Sequence, residues 1–219
     1  IRDYKVTGVQ TCALPICTLM SVVYVFFKDI KQIFLTMNEK NNQLFIFYLI
    51  IATLPAIFAG LLLKDYFLKI FDNVHLVGIA LCLTGILLIL SKRFKNNQKA
   101  ISFSSSILVG VMQAIAIIPG ISRSGSTISI CMYLGIPPKE AARFSFLLSI
   151  PVILGASILG FLEMESNNTF NYLTLTVAIT TSFVTGVLAL KILLKTLETG
   201  RFYFFGFYCL IAGVSTIFI

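Results

Sequence analysis

Apolar stretches close to the length that crosses a bilayer dominate this sequence. They lie at Leu44–Leu63, Val74–Ser91, Ile101–Ile118, Phe144–Leu162, Tyr172–Leu190 and Phe202–Ile219, with a shorter run at Thr18–Phe27. A helix needs about 20 predominantly apolar residues to cross the hydrocarbon core, and here 58% of 219 residues are hydrophobic while 12% are charged. The chain is therefore predicted to be an all-α integral membrane protein with about six transmembrane helices.

A polar segment, IPGISRSGST at residues 118–127, interrupts this apolar sequence. An arginine at the bilayer centre costs roughly 2.5–3.5 kcal/mol on insertion scales, so such a segment is expected only where it lines a wet cavity. Guanidinium binds phosphate through two nitrogens, hydroxyls donate hydrogen bonds, and glycine allows close approach. We predict a phosphate-binding loop formed by the following residues: Gly120, Ser122, Arg123, Ser124, Gly125, Ser126 and Thr127. If a helix opens at Ser126, its N-terminus adds partial positive charge; the alternative is an N-capped helix with Arg123 reaching toward the interface.

The distribution of charge predicts how this loop enters the membrane. The polar loops 28–43, 92–99 and 191–201 are basic and 163–171 is acidic, which assigns the first three to the cytoplasm. Residues 101–143 then begin and end on one side. Because the apolar run breaks at Pro119-Gly120 and Ile128–Ile136 is too short to span, we predict a re-entrant helical hairpin over residues 101–136.

The order of spans predicts an inverted repeat. Three apolar runs, Thr18–Phe27, Leu44–Leu63 and Val74–Ser91, precede the hairpin, and three follow it. Residues 17–100 are therefore interpreted as the remainder of a first repeat and residues 101–219 as a second repeat. Both repeats belong to one membrane domain, 17–219. Residues 1–16 are interpreted as non-native, because Val6–Ile16 matches one reading frame of a common DNA-sequencing adapter.

Composition excludes several other functions. The net charge of +8 is carried by loops rather than by a basic soluble domain, so no nucleic acid partner is predicted. The five cysteines form no CxxC pair and there is a single histidine, His75, so no metal site is predicted within this chain.

Two segments resemble a known family. PGISRSGSTIS at 119–129, followed by LGIPPKEAARFSFLLSIPVILGA at 134–156 and preceded by Gln113, is similar to the second signature region of the undecaprenyl-pyrophosphate phosphatases, the bacitracin-resistance family. The resemblance implies a multi-pass enzyme of the bacterial inner membrane. Such an enzyme hydrolyses undecaprenyl pyrophosphate to undecaprenyl phosphate and phosphate, which recycles the lipid carrier of cell-wall synthesis and gives resistance to bacitracin.

The resemblance also implies roles for particular residues. Arg123 and Ser122 would be catalytic, and the loop would bind pyrophosphate. A divalent cation (Mg²⁺ or Ca²⁺) is expected, as are inverted repeats with two re-entrant hairpins and a possible homodimer.

The chain departs from the family at one point. The family's first signature, a glutamate-rich segment ending in a PxSSTGH-like motif, supplies acidic metal ligands and a histidine, and it does not occur here. We expect it upstream of Thr18, so that this chain carries half of the active site and is inactive alone. The alternatives are a transporter or flippase for an anionic lipid or solute, and a structural membrane subunit.

Overall fold

The computed structural model of the protein describes residues 14–62, 73–93, 98–162 and 172–218, and across these residues all regular secondary structure is helical. The helices are α1 (Leu14–Val25), α2 (Phe27–Leu35), α3 (Lys40–Leu62), α4 (Val74–Leu90), α5 (Phe103–Ile115), α6 (Arg123–Tyr133), α7 (Pro138–Leu162), α8 (Tyr172–Glu198) and α9 (Phe204–Ile217). A short 3₁₀ turn, Ser91–Arg93, follows α4. The predicted all-α class is confirmed.

Three helices in the described part of the chain are long and apolar enough to cross a membrane. They are Lys40–Leu62, Pro138–Leu159 and Leu175–Glu198, and α4 and α9 are shorter apolar helices. Pro55 and Pro151 lie inside α3 and α7. Pro138 is the first residue of α7, where a missing N–H costs nothing. The chain is therefore an integral membrane protein.

Two predicted loops are helical instead. Within 28–43 the chain forms α2 and then begins α3 at Lys40, because the apolar residues Phe27, Ile30 and Phe34 recur at helical spacing between the charges. Within 191–201, α8 continues to Glu198 because most residues of this stretch, leucine, lysine and glutamate, favour helix.

Gly200 explains where α8 stops. Its φ is +67°, and the Arg201 N–H donates to the Thr196 carbonyl oxygen at 2.9 Å, which is the hydrogen bond of a glycine-terminated helix. The predicted loop 163–171 lies outside the described residues, as do residues 94–97 of the basic loop 92–99. The predicted sidedness therefore stays a prediction.

The chain divides into two compact units. The first comprises residues up to Thr36 together with Ser149–Leu193, and the second comprises Met37–Leu148 with Leu194–Ile219. In the first unit the Ser21 hydroxyl donates to the Phe183 carbonyl oxygen at 3.1 Å. The second unit contains the segment Ser122–Thr127, which we call the Ser-Arg segment. The predicted repeats at 17–100 and 101–219 stay a prediction, as does the single domain 17–219.

Glycines allow α4 and α9 of the second unit to approach each other closely. A Cβ added at Gly85 would lie 2.8 Å from the Gly206 carbonyl oxygen, and one at Gly206 would lie 2.7 Å from that of Gly85. Gly78 and Gly213 meet in the same reciprocal way, so the two helices run antiparallel. Small residues at such positions are the usual means of close helix packing in membranes. The pairing fixes the position of α4, which contacts the loop between α5 and α6.

The predicted hairpin is present as two short helices. α5 has 13 residues and α6 has 11, so at 1.5 Å per residue they are about 20 and 17 Å long and neither can cross a hydrocarbon core of about 30 Å. They pack against each other, and the predicted break at Pro119-Gly120 lies between them. A Cβ at Gly110 would lie 2.7 Å from the Ala52 carbonyl oxygen, so α5 packs closely on α3.

The glycine contact between α4 and α9 predicts a position-specific loss of stability. Gly85→Ala should lower the free energy of unfolding by roughly 1–3 kcal/mol, because the added methyl group overpacks the helix pair. Gly155→Ala is the matched control, since among the described residues no atom beyond its own helical turn lies within 4 Å of the added Cβ. The measurement is thermal unfolding of the purified protein in detergent. Equal melting temperatures for the two variants would contradict the close approach.

Candidate anion-binding site at the tip of the helical hairpin

The turn between α5 and α6 depends on Gly120. Its φ is +94°, and a Cβ there would collide with the Val77 carbonyl oxygen and lie 2.9 Å from the Ala80 Cβ. Only glycine satisfies both the left-handed backbone and the close approach to α4. The turn is closed by hydrogen bonds such as the one from the Ile121 N–H to the Ile118 carbonyl oxygen, at 3.1 Å.

Thr84 on α4 holds the other side of the turn. Its hydroxyl oxygen accepts a hydrogen bond from the Ser122 N–H at 3.2 Å. The same hydroxyl lies 3.1 Å from the Ala80 carbonyl oxygen and 3.4 Å from that of Gly120. Thr84 is only 2% exposed, so these hydrogen bonds form away from solvent. The start of α6 is therefore fixed by α4.

α6 begins at Arg123, three residues earlier than the helix start we considered at Ser126. The reason is Ser122, whose hydroxyl oxygen accepts from the Gly125 N–H at 3.2 Å and caps the helix. Among the described residues, the N–H groups of Arg123 and Ser124 have no acceptor. Unpaired amides at a helix N-terminus carry partial positive charge and suit an anion.

The Arg123 side chain turns toward the protein rather than reaching for the interface. Its Nε donates to Gln113 Oε1 at 3.1 Å, and its Nη2 donates both to the same oxygen and, at 3.2 Å, to the Leu148 carbonyl oxygen. The two-nitrogen edge that we expected to bind phosphate is thus occupied within the protein. Nη1 makes no hydrogen bond to a described residue and is not buried, so it is the nitrogen available to a ligand.

The predicted site residues differ in their exposure to solvent. Ser122, Arg123 and Ser124 are partly exposed, and the Ser124 hydroxyl makes no hydrogen bond to a described residue. Ser126 and Thr127 are buried, at 0% and 1% exposure. The Ser126 hydroxyl lacks a partner among the described residues.

Thr127 has a structural partner instead of a free hydroxyl. Its hydroxyl donates to the Arg123 carbonyl oxygen at 2.9 Å and lies 2.5 Å from the Ser145 hydroxyl. In this structure Thr127 therefore joins α6 to α7 through a buried hydrogen bond. The predicted pyrophosphate-binding roles of all seven residues, and the predicted catalytic roles of Arg123 and Ser122, stay predictions.

Sequence reasoning missed three parts of this site. Thr84 and Ser145 are polar residues within apolar stretches, and that isolation is a signal that could have singled them out. The Leu148 carbonyl oxygen carries no such signal, because any residue at that position supplies the same group. Gln113 entered only through the family resemblance, and the structure places it against Arg123.

The described residues do not fit a divalent cation by themselves. Across them there is no group of three or more His, Cys, Asp or Glu side chains that could hold a metal ion. The hairpin tip instead presents hydroxyls, backbone amides and a guanidinium, which donate hydrogen bonds. What this tip can bind is an anion.

The close approach at Gly120 predicts a loss of anion binding in Gly120→Ala. Alanine at positive φ costs roughly 1–2 kcal/mol, and here the methyl group also displaces the turn from Val77 and shifts Arg123. Gly200→Ala is the matched control, because Gly200 has a φ of +67° but no atom within 4 Å of the added Cβ. Melting temperature and affinity for inorganic pyrophosphate are measured for both. Wild-type pyrophosphate affinity in Gly120→Ala would show that the turn does not position the site.

Comparison with known proteins identifies the family. The family described as Bacitracin resistance protein BacA matches residues 3–215. That match begins inside residues 1–16, and our interpretation of this segment as non-native stays a prediction.

Several relatives carry similar names. A protein named Undecaprenyl-diphosphatase 1 from Bacillus cereus is 39% identical over 184 residues, covering 82% of this chain and 68% of the relative. Proteins named Undecaprenyl-diphosphatase are 31% identical in Methanococcus vannielii, covering 94% of this chain and 82% of the relative, and 36% identical in Desulforapulum autotrophicum, covering 91% and 80%. The chain belongs to the BacA bacitracin resistance family.

Proposed function

We propose that this protein hydrolyses undecaprenyl pyrophosphate to undecaprenyl phosphate and inorganic phosphate. Its membership of the BacA family and the names of its relatives support this activity. The reaction regenerates the lipid carrier of cell-wall synthesis and accounts for bacitracin resistance, since bacitracin sequesters the pyrophosphate lipid. The observation that carries the proposal at residue level is Arg123, fixed at the hairpin tip with Nη1 accessible.

The substrate has an apolar chain and an anionic head, and the protein has a suitable surface for each. Its polyprenyl chain is apolar and stays in the bilayer, beside helices such as α3 and α7 that are long enough to cross it. Its pyrophosphate head is anionic and accepts hydrogen bonds. The hairpin tip offers donors on a segment enclosed by apolar helices, so the head can be bound without the lipid leaving the membrane.

The geometry supports a role for the tip in phosphoryl transfer. Water, or a serine hydroxyl in a first step that water then completes, forms a bond to the terminal phosphorus while the bond to the bridging oxygen breaks, and charge shifts onto the oxygens of both phosphates. Fixed donors at those oxygens stabilise the transition state. We assign this role to Arg123 Nη1, with the N–H groups of Arg123 and Ser124 and the hydroxyls of Ser122 and Ser124 as further donors.

A transporter or flippase is the second hypothesis from the sequence, and the relatives' names do not favour it. A homodimer is implied by the resemblance and stays a proposal. Sedimentation of the protein in detergent tests it.

Removal of the Arg123 guanidinium should lower the rate of hydrolysis. Arg123→Ala should lower kcat by about 100- to 1,000-fold, the usual cost of losing one donor to a developing oxyanion. Arg123→Lys should recover little, because a lysine ammonium cannot bind Gln113 and Leu148 with one edge while presenting another nitrogen. Release of phosphate and binding of undecaprenyl pyrophosphate are measured in detergent. Binding is included because it reports on the site even where turnover is slow.

The matched control is Arg201→Lys, which changes an exposed arginine outside the Ser-Arg segment. Wild-type kcat and affinity in Arg123→Ala would show that this residue has no part in the reaction. Binding without phosphate release, together with movement of the lipid between leaflets of a vesicle, would favour the flippase.

The reaction is also expected to depend on a divalent cation. Pyrophosphate carries several negative charges, and a single guanidinium neutralises only part of them, so we expect Mg²⁺ or Ca²⁺ to be required although the described residues supply no ligand set. Phosphate release should fall with EDTA and recover on addition of either cation. Phosphate release that is insensitive to EDTA would contradict this expectation.

A further inference from the structure

We propose that Gln113 is a positioning residue that presents Nη1 of Arg123 to the terminal phosphate and leaves the charge of the guanidinium uncancelled. This inference rests on the proposed function. Gln113 lies on α5 and Arg123 begins α6, so their contact joins the two arms of the hairpin.

The hydrogen bonds fix the guanidinium in one orientation. Arginine has five N–H donors, and three of them are used by two neutral oxygens, the amide of Gln113 and the carbonyl of Leu148. The two acceptors lie on different helices, α5 and α7, and Nη2 donates a hydrogen bond to each of them. The plane of the guanidinium is thereby set, and the two donors left over are both on Nη1. A ligand at the tip meets a donor whose direction is fixed before it binds.

The partners of Arg123 are electrically neutral. Among the described residues no carboxylate lies within ion-pair distance of it, and the ion pair recorded in the same unit joins Arg143 to Glu140 at 3.6 Å. A carboxylate at position 113 would hold the guanidinium at least as firmly but would cancel its charge. An amide gives the same orientation and keeps the charge for an anion. This difference in electrostatics is the reason to expect glutamine rather than glutamate.

The amide of Gln113 is held in place by its oxygen and not by its nitrogen. The residue is 2% exposed, and its Nε2 is buried without a hydrogen-bond partner in the described structure. Its Oε1 accepts hydrogen bonds from both Nε and Nη2 of Arg123. An apolar side chain at this position would leave those two guanidinium N–H groups without an acceptor. The effect on orientation and the effect on stability therefore have to be separated by experiment.

Two substitutions separate positioning from charge. Gln113→Met removes the acceptor and should lower kcat by 10- to 100-fold; it also leaves two guanidinium N–H groups without an acceptor, so a lower melting temperature should accompany the loss. Gln113→Glu keeps the acceptor and should raise KM, and the dissociation constant for undecaprenyl pyrophosphate, by at least 10-fold without loss of melting temperature. Gln43→Glu is the matched control for added charge, because Gln43 is exposed on α3 and makes no hydrogen bond to Arg123.

A double-mutant cycle tests whether Gln113 acts through Arg123. In the Arg123→Ala background, Gln113→Met should cause no further loss of activity or binding. An equal loss in both backgrounds, wild-type kcat in Gln113→Met, or wild-type affinity in Gln113→Glu would overturn the proposal. If the wild type binds the lipid and moves it between leaflets instead of hydrolysing it, the proposed function fails and the binding measurements still decide the role of Gln113. If the wild type binds no pyrophosphate lipid, both fail.

Discussion

The contact between Gly120 and the backbone of α4 is the constraint on which the site depends. It places the turn directly on Val77, brings the Ser122 N–H to Thr84, and so fixes the first residue of α6. α4 is held in turn by the reciprocal glycine contacts with α9. Both approaches require the absence of a side chain rather than an attractive side-chain interaction. In a bilayer the solvent is as apolar as the helices, so close packing of this kind is a main source of stability.

The cost of a buried arginine explains the arrangement around it. A charged side chain inside a membrane protein needs hydrogen-bond acceptors, and the simplest supply is a carboxylate. Here Arg123 is satisfied by an amide and a backbone carbonyl, which solvate the guanidinium without neutralising it. The positive potential remains available at Nη1. This choice suits a group that binds an anion for one reaction cycle and then releases it.

Some of this could be predicted from the sequence and some could not. The long apolar helices and the break at Pro119-Gly120 follow from composition and from the chemistry of proline and glycine. The helix α2 lies where the charged residues predict a loop, and only its apolar spacing indicates a helix. The partners of Arg123 could not be predicted, because the Leu148 carbonyl oxygen reaches it only through the packing of α7, and a backbone oxygen leaves no trace in the sequence.

The chemistry of the hairpin tip also indicates what a complete active site requires. Hydroxyls, amides and a guanidinium are well suited to hold the oxygens of a pyrophosphate, but hydrolysis also requires that an attacking water lose a proton. No described carboxylate or imidazole makes a hydrogen bond to Arg123 or to the Ser-Arg segment. A donor-only site stabilises the phosphates without activating the nucleophile. An acid–base group acting on a phosphate bound here would approach it on the side of Nη1, which the hydrogen bonds of Arg123 leave open.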